Sequence, residues 1–143
     1  MNKFVLIFLL VTVSACNEND TGQQFDSDVF PQRWTLVRMS VGMSTNFVEG
    51  DEMKWQETFV LRENGTFTKT RDTKGDVISA SGTFLFSNDA GDKFLFLEFE
   101  EESPIIENCP GETLETYNLL SSASLSGGAV SCDGSALLYE RVE

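Results

Sequence analysis

The chain has 143 residues, no histidine, three cysteines and a formal net charge of −13, so one domain is the ceiling and histidine-based catalysis and histidine-containing zinc sites are excluded. Ten Lys plus Arg against twenty-three Asp plus Glu disfavour binding to a nucleic-acid backbone or to an anionic bilayer surface. With 41% hydrophobic and 11% aromatic residues the chain can still bury a core, which argues against wholesale disorder.

Lys3 supplies a positive start, and Phe4 to Val13 (FVLIFLLVTV) is an apolar run of ten residues, too short for a membrane-spanning helix of roughly 17–25 residues. It reads as the h-region of an export signal. The run ends in Val13-Ser14-Ala15-Cys16, which resembles the bacterial lipobox. The resemblance implies that residues 1–15 are removed, that Cys16 carries diacylglycerol on its thiol and a further acyl chain on its amine, and that the membrane is a partner through this lipid. Two or more chains anchor a protein stably, at about 0.8 kcal/mol per buried CH₂. The address implied is the bacterial cell envelope, on the periplasmic or surface face of the outer membrane. Residues 16–31 are polar and acidic and read as a flexible tether, similar at its start to the surface-export signals of some Bacteroidetes-type lipoproteins.

Residues 32–143 form the predicted domain. Short runs of aromatic and β-branched residues recur between turn residues, which predicts an all-β fold with eight strands over 33–41, 56–62, 66–71, 77–87, 93–100, 114–121, 123–130 and 135–142. Glu63-Asn64-Gly65 carries an Asn-Gly pair suited to a tight hairpin, and 74–76, 88–92 and 132–134 are further breaks of the same chemistry. Phe94-Leu95-Phe96-Leu97-Glu98-Phe99 is apolar on both faces, which predicts a second element against its outer side. Residues 42–54 fit a long loop, a short helix or an extra edge strand, and a minor helix near 101–107 is compatible with the sequence despite Pro104. Short connections without crossover helices predict an eight-stranded antiparallel up-and-down β-barrel, closed so that no edge is exposed.

Arg33-Trp34-Thr35-Leu36-Val37, the hairpin from Phe59-Val60-Leu61 to Asn64-Gly65-Thr66-Phe67, and Ala136-Leu137-Leu138-Tyr139-Glu140-Arg141-Val142 resemble bacterial lipocalin-like lipoproteins with a calycin-like barrel. Lipocalins with the full signature carry glycine two residues before the tryptophan. Gln32 stands there in this chain.

With Cys16 assigned to lipid, Cys109 and Cys132 remain as a pair in a chain sent to an oxidising compartment, and the meander returns both to the same barrel end. A disulfide between them is expected. The acidic groups 89–92 and 98–102 lack the spacing of an EF-hand loop, and no metal, cofactor or catalytic residue is assigned. Trp34, Trp55, Phe59, Phe67, Phe84, Phe86, Phe94 and Phe96 are the candidates for lining a cavity, although aromatic residues in this number also suit a filled interior. No charged residue is assigned to the interior. The function expected is a non-catalytic, membrane-anchored barrel that binds a small apolar or amphipathic molecule. The alternative is an interaction protein of unknown partner, such as a periplasmic hydrolase inhibitor or an envelope assembly accessory.

Overall fold

Period-two alternation places one side chain in two toward a shared interior, and the polar breaks between runs turn the chain back on itself. A computed structural model describes residues 26–143, so the export signal, Cys16 and most of the tether lie outside the described residues. The strands are β1 (Gln32–Ser40), β2 (Phe47–Glu49), β3 (Gln56–Leu61), β4 (Thr66–Thr73), β5 (Asp76–Asp89), β6 (Asp92–Phe99), β7 (Leu114–Ser121), β8 (Ser124–Gly127) and β9 (Leu137–Arg141). From β3 to β9 each pairs antiparallel with the next, and β1 closes the circuit by pairing with β3 on one side and β9 on the other. The result is a closed eight-stranded antiparallel barrel, compatible with a lipocalin-like fold.

β2 stands outside the circuit, paired with the second half of β1 through Arg38↔Glu49 and Ser40↔Phe47. It is followed by a single 3-10 turn, Gly50–Glu52. Of the options for residues 42–54, the extra edge strand is therefore present, joined to β1 by a loop. The expectation of a helix near 101–107 is overturned, since that stretch is turn and irregular chain. Pro104 lacks the amide hydrogen that a helix interior would use.

Two local devices shape the wall. β1 carries a bulge between Leu36 and Arg38, which shifts the inward positions from Trp34 and Leu36 to Met39, so an unbroken strand keeps its apolar side inside while it bends. At Gly82, β5 passes so close to β6 that a Cβ would overlap the carbonyl oxygen of Glu98 and the Phe67 ring.

The barrel has two unlike ends. One carries the β3–β4, β5–β6 and β7–β8 turns, with residues 26–31 laid across it as a strap. The other carries the longer connections 41–55, 100–113 and 128–136. Between them the interior is filled by Trp34, Phe59, Leu61, Phe67, Leu95, Leu97, Tyr117, Leu125 and Tyr139, all buried. Phe59 sits at the hub, its ring centre 6.3 Å from Trp34, 5.7 Å from Tyr117 and 5.3 Å from Tyr139.

The outer side of β6 differs from expectation. Leu95, Leu97 and Phe99 point inward, which turns Phe94 and Phe96 outward. These two rings are half-buried by stacking on each other at 6.2 Å, in a strand whose ladder partners are β5 and β7. A second layer is not needed to shelter them.

Cys109 and Cys132 form a disulfide that ties the 100–113 and 128–136 connections together at the long-loop end. With a sequence separation of 23 between them, the loop-closure model assigns the bridge about 3 kcal/mol. Replacing both cysteines by serine should lower the unfolding free energy in urea by about that amount, with the far-ultraviolet circular dichroism of the folded state unchanged.

Candidate functional site

The strap end holds a small cavity. Its deepest wall is Trp34, placed inward by β1, with Phe86 from β5 and Leu119 from β7. Gln32, Ser87, Asn88, Lys93, Ser122 and Arg141, with Ser27 and Asp28 of the strap, complete the lining of about 230 Å³. The indole Nε1 of Trp34 donates to Gln32 Oε1 at 3.3 Å, and Gln32 Nε2 donates to the Ser27 carbonyl at 2.7 Å. The glutamine that stands where a glycine was the lipocalin pattern thus couples the tryptophan to the strap. Arg141 holds the same strap, donating through Nη1 to the Asp26 carbonyl at 2.7 Å and through Nη2 to the Val29 carbonyl at 2.9 Å. A larger groove of about 780 Å³, lined by Asp26, Gly91, Asp92, Leu120 and Ser121, opens beside the cavity and shares Ser27, Lys93, Leu119 and Ser122 with it.

The half of the interior toward the long loops is ionic. Lys69 Nζ donates to both carboxylate oxygens of Glu115 at 2.7 and 2.9 Å, lies 2.9 Å from Glu57 Oε1 and donates to the Tyr117 hydroxyl at 3.3 Å. Arg71 Nε donates to Glu57 Oε2 at 2.5 Å, while its Nη2 reaches Glu107 Oε1 at 2.8 Å and the Ile105 carbonyl at 3.1 Å. The Tyr139 hydroxyl donates to Glu57, and that of Tyr117 to Glu115 at 2.6 Å. The Glu107 amide donates to Glu115 Oε1 at 2.5 Å, so the 100–113 connection is seated on the same network. This overturns the expectation of an interior without charge.

The charges can stay inside because each is answered. Burial works to lower the Lys69 ammonium, but the Glu115 and Glu57 carboxylates outweigh it and hold the group above its ordinary value. Burial pushes the Tyr117 and Tyr139 hydroxyls well above theirs, with the neighbouring carboxylates adding to the effect. Burial also raises the Glu107 carboxyl, against the pull of Arg71. Lys69, Glu57 and Glu115 are each no more than 1% exposed and spend their polar atoms on one another, on the two tyrosines, on Arg71 and on the Glu107 amide. That arrangement holds strands β3, β4, β7 and β9 together.

The residues assigned to a cavity from sequence are distributed over the whole barrel. Trp34 and Phe86 line the strap-end cavity. Phe84 packs beside it, with ring centres 5.7 Å from both Phe30 and Phe86. Phe59 and Phe67 belong to the filled centre, and Trp55 lies at the opposite end with the Arg71 guanidinium 4.1 Å over its ring. Phe94 and Phe96 face outward and are withdrawn as lining residues, because alternation gives the inner face to Leu95 and Leu97. Sequence reasoning missed Gln32, Lys93, Leu119 and Arg141, as well as the whole ionic set. Their signal was parity: Glu57 shares a face with Phe59, Lys69 and Arg71 with Phe67, Glu115 and Leu119 with Tyr117, Lys93 with Leu95, and Arg141 with Tyr139. Comparison with protein-family models, curated proteins and solved structures finds no match to this chain.

Two outcomes test the network. Lys69→Met keeps most of the side-chain volume but leaves two buried carboxylates facing each other, and thermal unfolding should show a loss of about 3–5 kcal/mol. Lys69, Tyr117 and Tyr139 all have raised folded-state values, so their contribution is fully present below the ordinary 10.0 to 10.5 and is lost as pH rises through the folded values. Urea unfolding of the wild type should therefore give a free energy that declines once pH passes about 10. An unfolding free energy that stays flat through that alkaline range would show that these groups are not buried as described.

Proposed function

We propose that this chain is a lipid-anchored bacterial envelope protein, tethered through Cys16, whose barrel binds a small apolar or amphipathic molecule and performs no catalysis. The observation that carries the binding reading is the strap-end cavity, with Trp34, Phe86 and Leu119 as apolar walls and a polar rim. Concave sites of mixed apolar wall and few polar groups are where small molecules are held. The strap forms one wall and leads back along the chain toward Cys16, so the cavity lies on the tether side of the barrel. The anchor itself is supported by the h-region and the lipobox-like Val13-Ser14-Ala15-Cys16.

An interaction role has its own support at the other end. Val41, Met43 and Phe47 are exposed on the connection after β1, and exposed Val130 lies with Phe47 along one groove.

Labelling with a palmitate analogue in a bacterial host should mark the wild type and leave Cys16→Ser unmarked; equal labelling of both would sink the anchor. For binding, a panel of indole, phenylpropanol and phenylpropionate titrated against the purified chain should give saturable changes in tryptophan emission. Leu119→Trp, which fills the cavity, should abolish the binding of these compounds, followed by isothermal titration because this variant adds a fluorophore. If no member of the panel binds the wild type saturably, the binding reading fails and the interaction role takes its place.

A further inference from the structure

The polar groups around the cavity are not equivalent. The Trp34 Nε1 and the Gln32 amide are occupied with each other and with Ser27. Arg141 directs Nε to the Glu143 carbonyl and its two Nη atoms to the strap carbonyls, so the guanidinium serves as a clamp on both chain ends of the barrel. The inner part of the cavity therefore offers a bound molecule aromatic and aliphatic surface, with its nearest donors already engaged.

Lys93 differs. It lies on the inward parity of β6, two positions before Leu95, and lines both the cavity and the adjoining groove. Among the described residues no carboxylate stands within ion-pair distance of its ammonium. Asn88, its partner across the β5–β6 ladder, and Ser87 and Ser122 supply neutral donors beside it at the same rim. The apolar interior is capped from the barrel wall by the Lys93 ammonium and three neutral polar side chains, while Asp28 of the strap stands on the same rim beyond ion-pair distance of Lys93, so a molecule that buries a hydrophobic body finds the place for an anionic head at Lys93.

Size narrows the class further. A volume of about 230 Å³ equals roughly eight water volumes, enough for one aromatic ring on a short arm. A long acyl chain would have to leave the apolar walls and lie in the groove, where Leu119 and Leu120 are the apolar contacts among Asp26, Asp92, Lys93, Ser121 and Ser122, so its hydrocarbon would gain less than in the cavity.

Resting on the binding role proposed above, we infer that the cavity selects a small aromatic or branched monocarboxylate, with its apolar body against Trp34, Phe86 and Leu119 and its carboxylate at Lys93. The chain's net charge of −13 repels anions at long range, so any preference for an acid over its neutral analogue has to arise locally.

The test compares 3-phenylpropionate with 3-phenyl-1-propanol, which share a ring and arm and differ in the head group, and includes palmitate as the long-chain arm. Isothermal titration at pH 7 is run on wild type and on Lys93→Met. The expected result is that the wild type binds the acid about tenfold more tightly than the alcohol, as a hydrogen bond to a charged group provides. Lys93→Met should bring the ratio of acid to alcohol affinity to about one, and palmitate should bind no more tightly than 3-phenylpropionate. Equal affinity of the wild type for acid and alcohol would overturn the inference and leave the binding role standing, as would a preference that survives in Lys93→Met or a clear advantage for palmitate. Absence of binding by all three compounds would instead end the binding role itself. A circular dichroism spectrum and melting temperature matching wild type confirm that Lys93→Met reports on the site.

Discussion

Lys69 is the side chain on which the interior is organised. Its ammonium lies between Glu115 on β7 and Glu57 on β3, two carboxylates that come from well-separated parts of the chain and meet only inside a closed barrel. A lone buried charge is too unfavourable to persist, so the lysine demands both partners, and each carboxylate in turn demands its tyrosine hydroxyl or arginine. Through Glu57 the network takes in Arg71 and Tyr139, and through Arg71 and Glu115 it seats residues 105–107 of the long connection. Strands β3, β4, β7 and β9 are thereby held by directional contacts as well as by area. A hydrophobic interior of similar volume would give comparable or greater stability, but its side chains would accept more than one packing. The ionic set admits one register, because a slip of one residue would turn Lys69 to solvent and a threonine inward.

The same closure divides the interior into unlike compartments. At the long-loop end the charges are neutralised, the connections are stapled by the disulfide and the space is occupied. The aromatic hub around Phe59 fills the middle. The cavity walled by Trp34, Phe86 and Leu119 lies toward the strap, where the wall is finished by chain that lies outside the barrel circuit. Gln32 and Arg141 fasten that segment, so the geometry of the cavity depends on the strap being docked. Residues 26–31 are in this way part of the candidate binding site.

The strand succession was legible because each run is short, alternating and bounded by turn residues. Asn64-Gly65 shows this most plainly: the glycine takes φ +81°, and Asn64 Oδ1 accepts from the Thr66 amide at 3.2 Å, as the residue pair implied for a tight hairpin. The disulfide was legible from topology, since an up-and-down pair of strands returns Cys132 to the end that Cys109 left. Where reading failed, residue type was allowed to outweigh parity. Phe94 and Phe96 look like core, yet Leu95 and Leu97 compete for the same inner face and win. Lys69, Arg71, Glu57 and Glu115 look like surface, yet each shares a face with a buried aromatic residue. Hydrophobicity ranks side chains singly, whereas burial of a charge depends on what stands opposite.

Alternation, turn chemistry and the absence of crossover helices were sufficient for an all-β meander of eight strands, because they act within a few residues along the chain. Barrel closure brings together residues as distant as Glu57 and Tyr139 or Gln32 and Arg141, and only that proximity decides which polar groups can be buried. The candidate site belongs to the second class. Trp34 could be suspected from its place at the start of the first strand, but the cavity beside it exists because β5, β6, β7, β9 and the strap converge there. Distance in space sets both the pairing of charges and the volume left between side chains, and neither is written in the local pattern of a sequence.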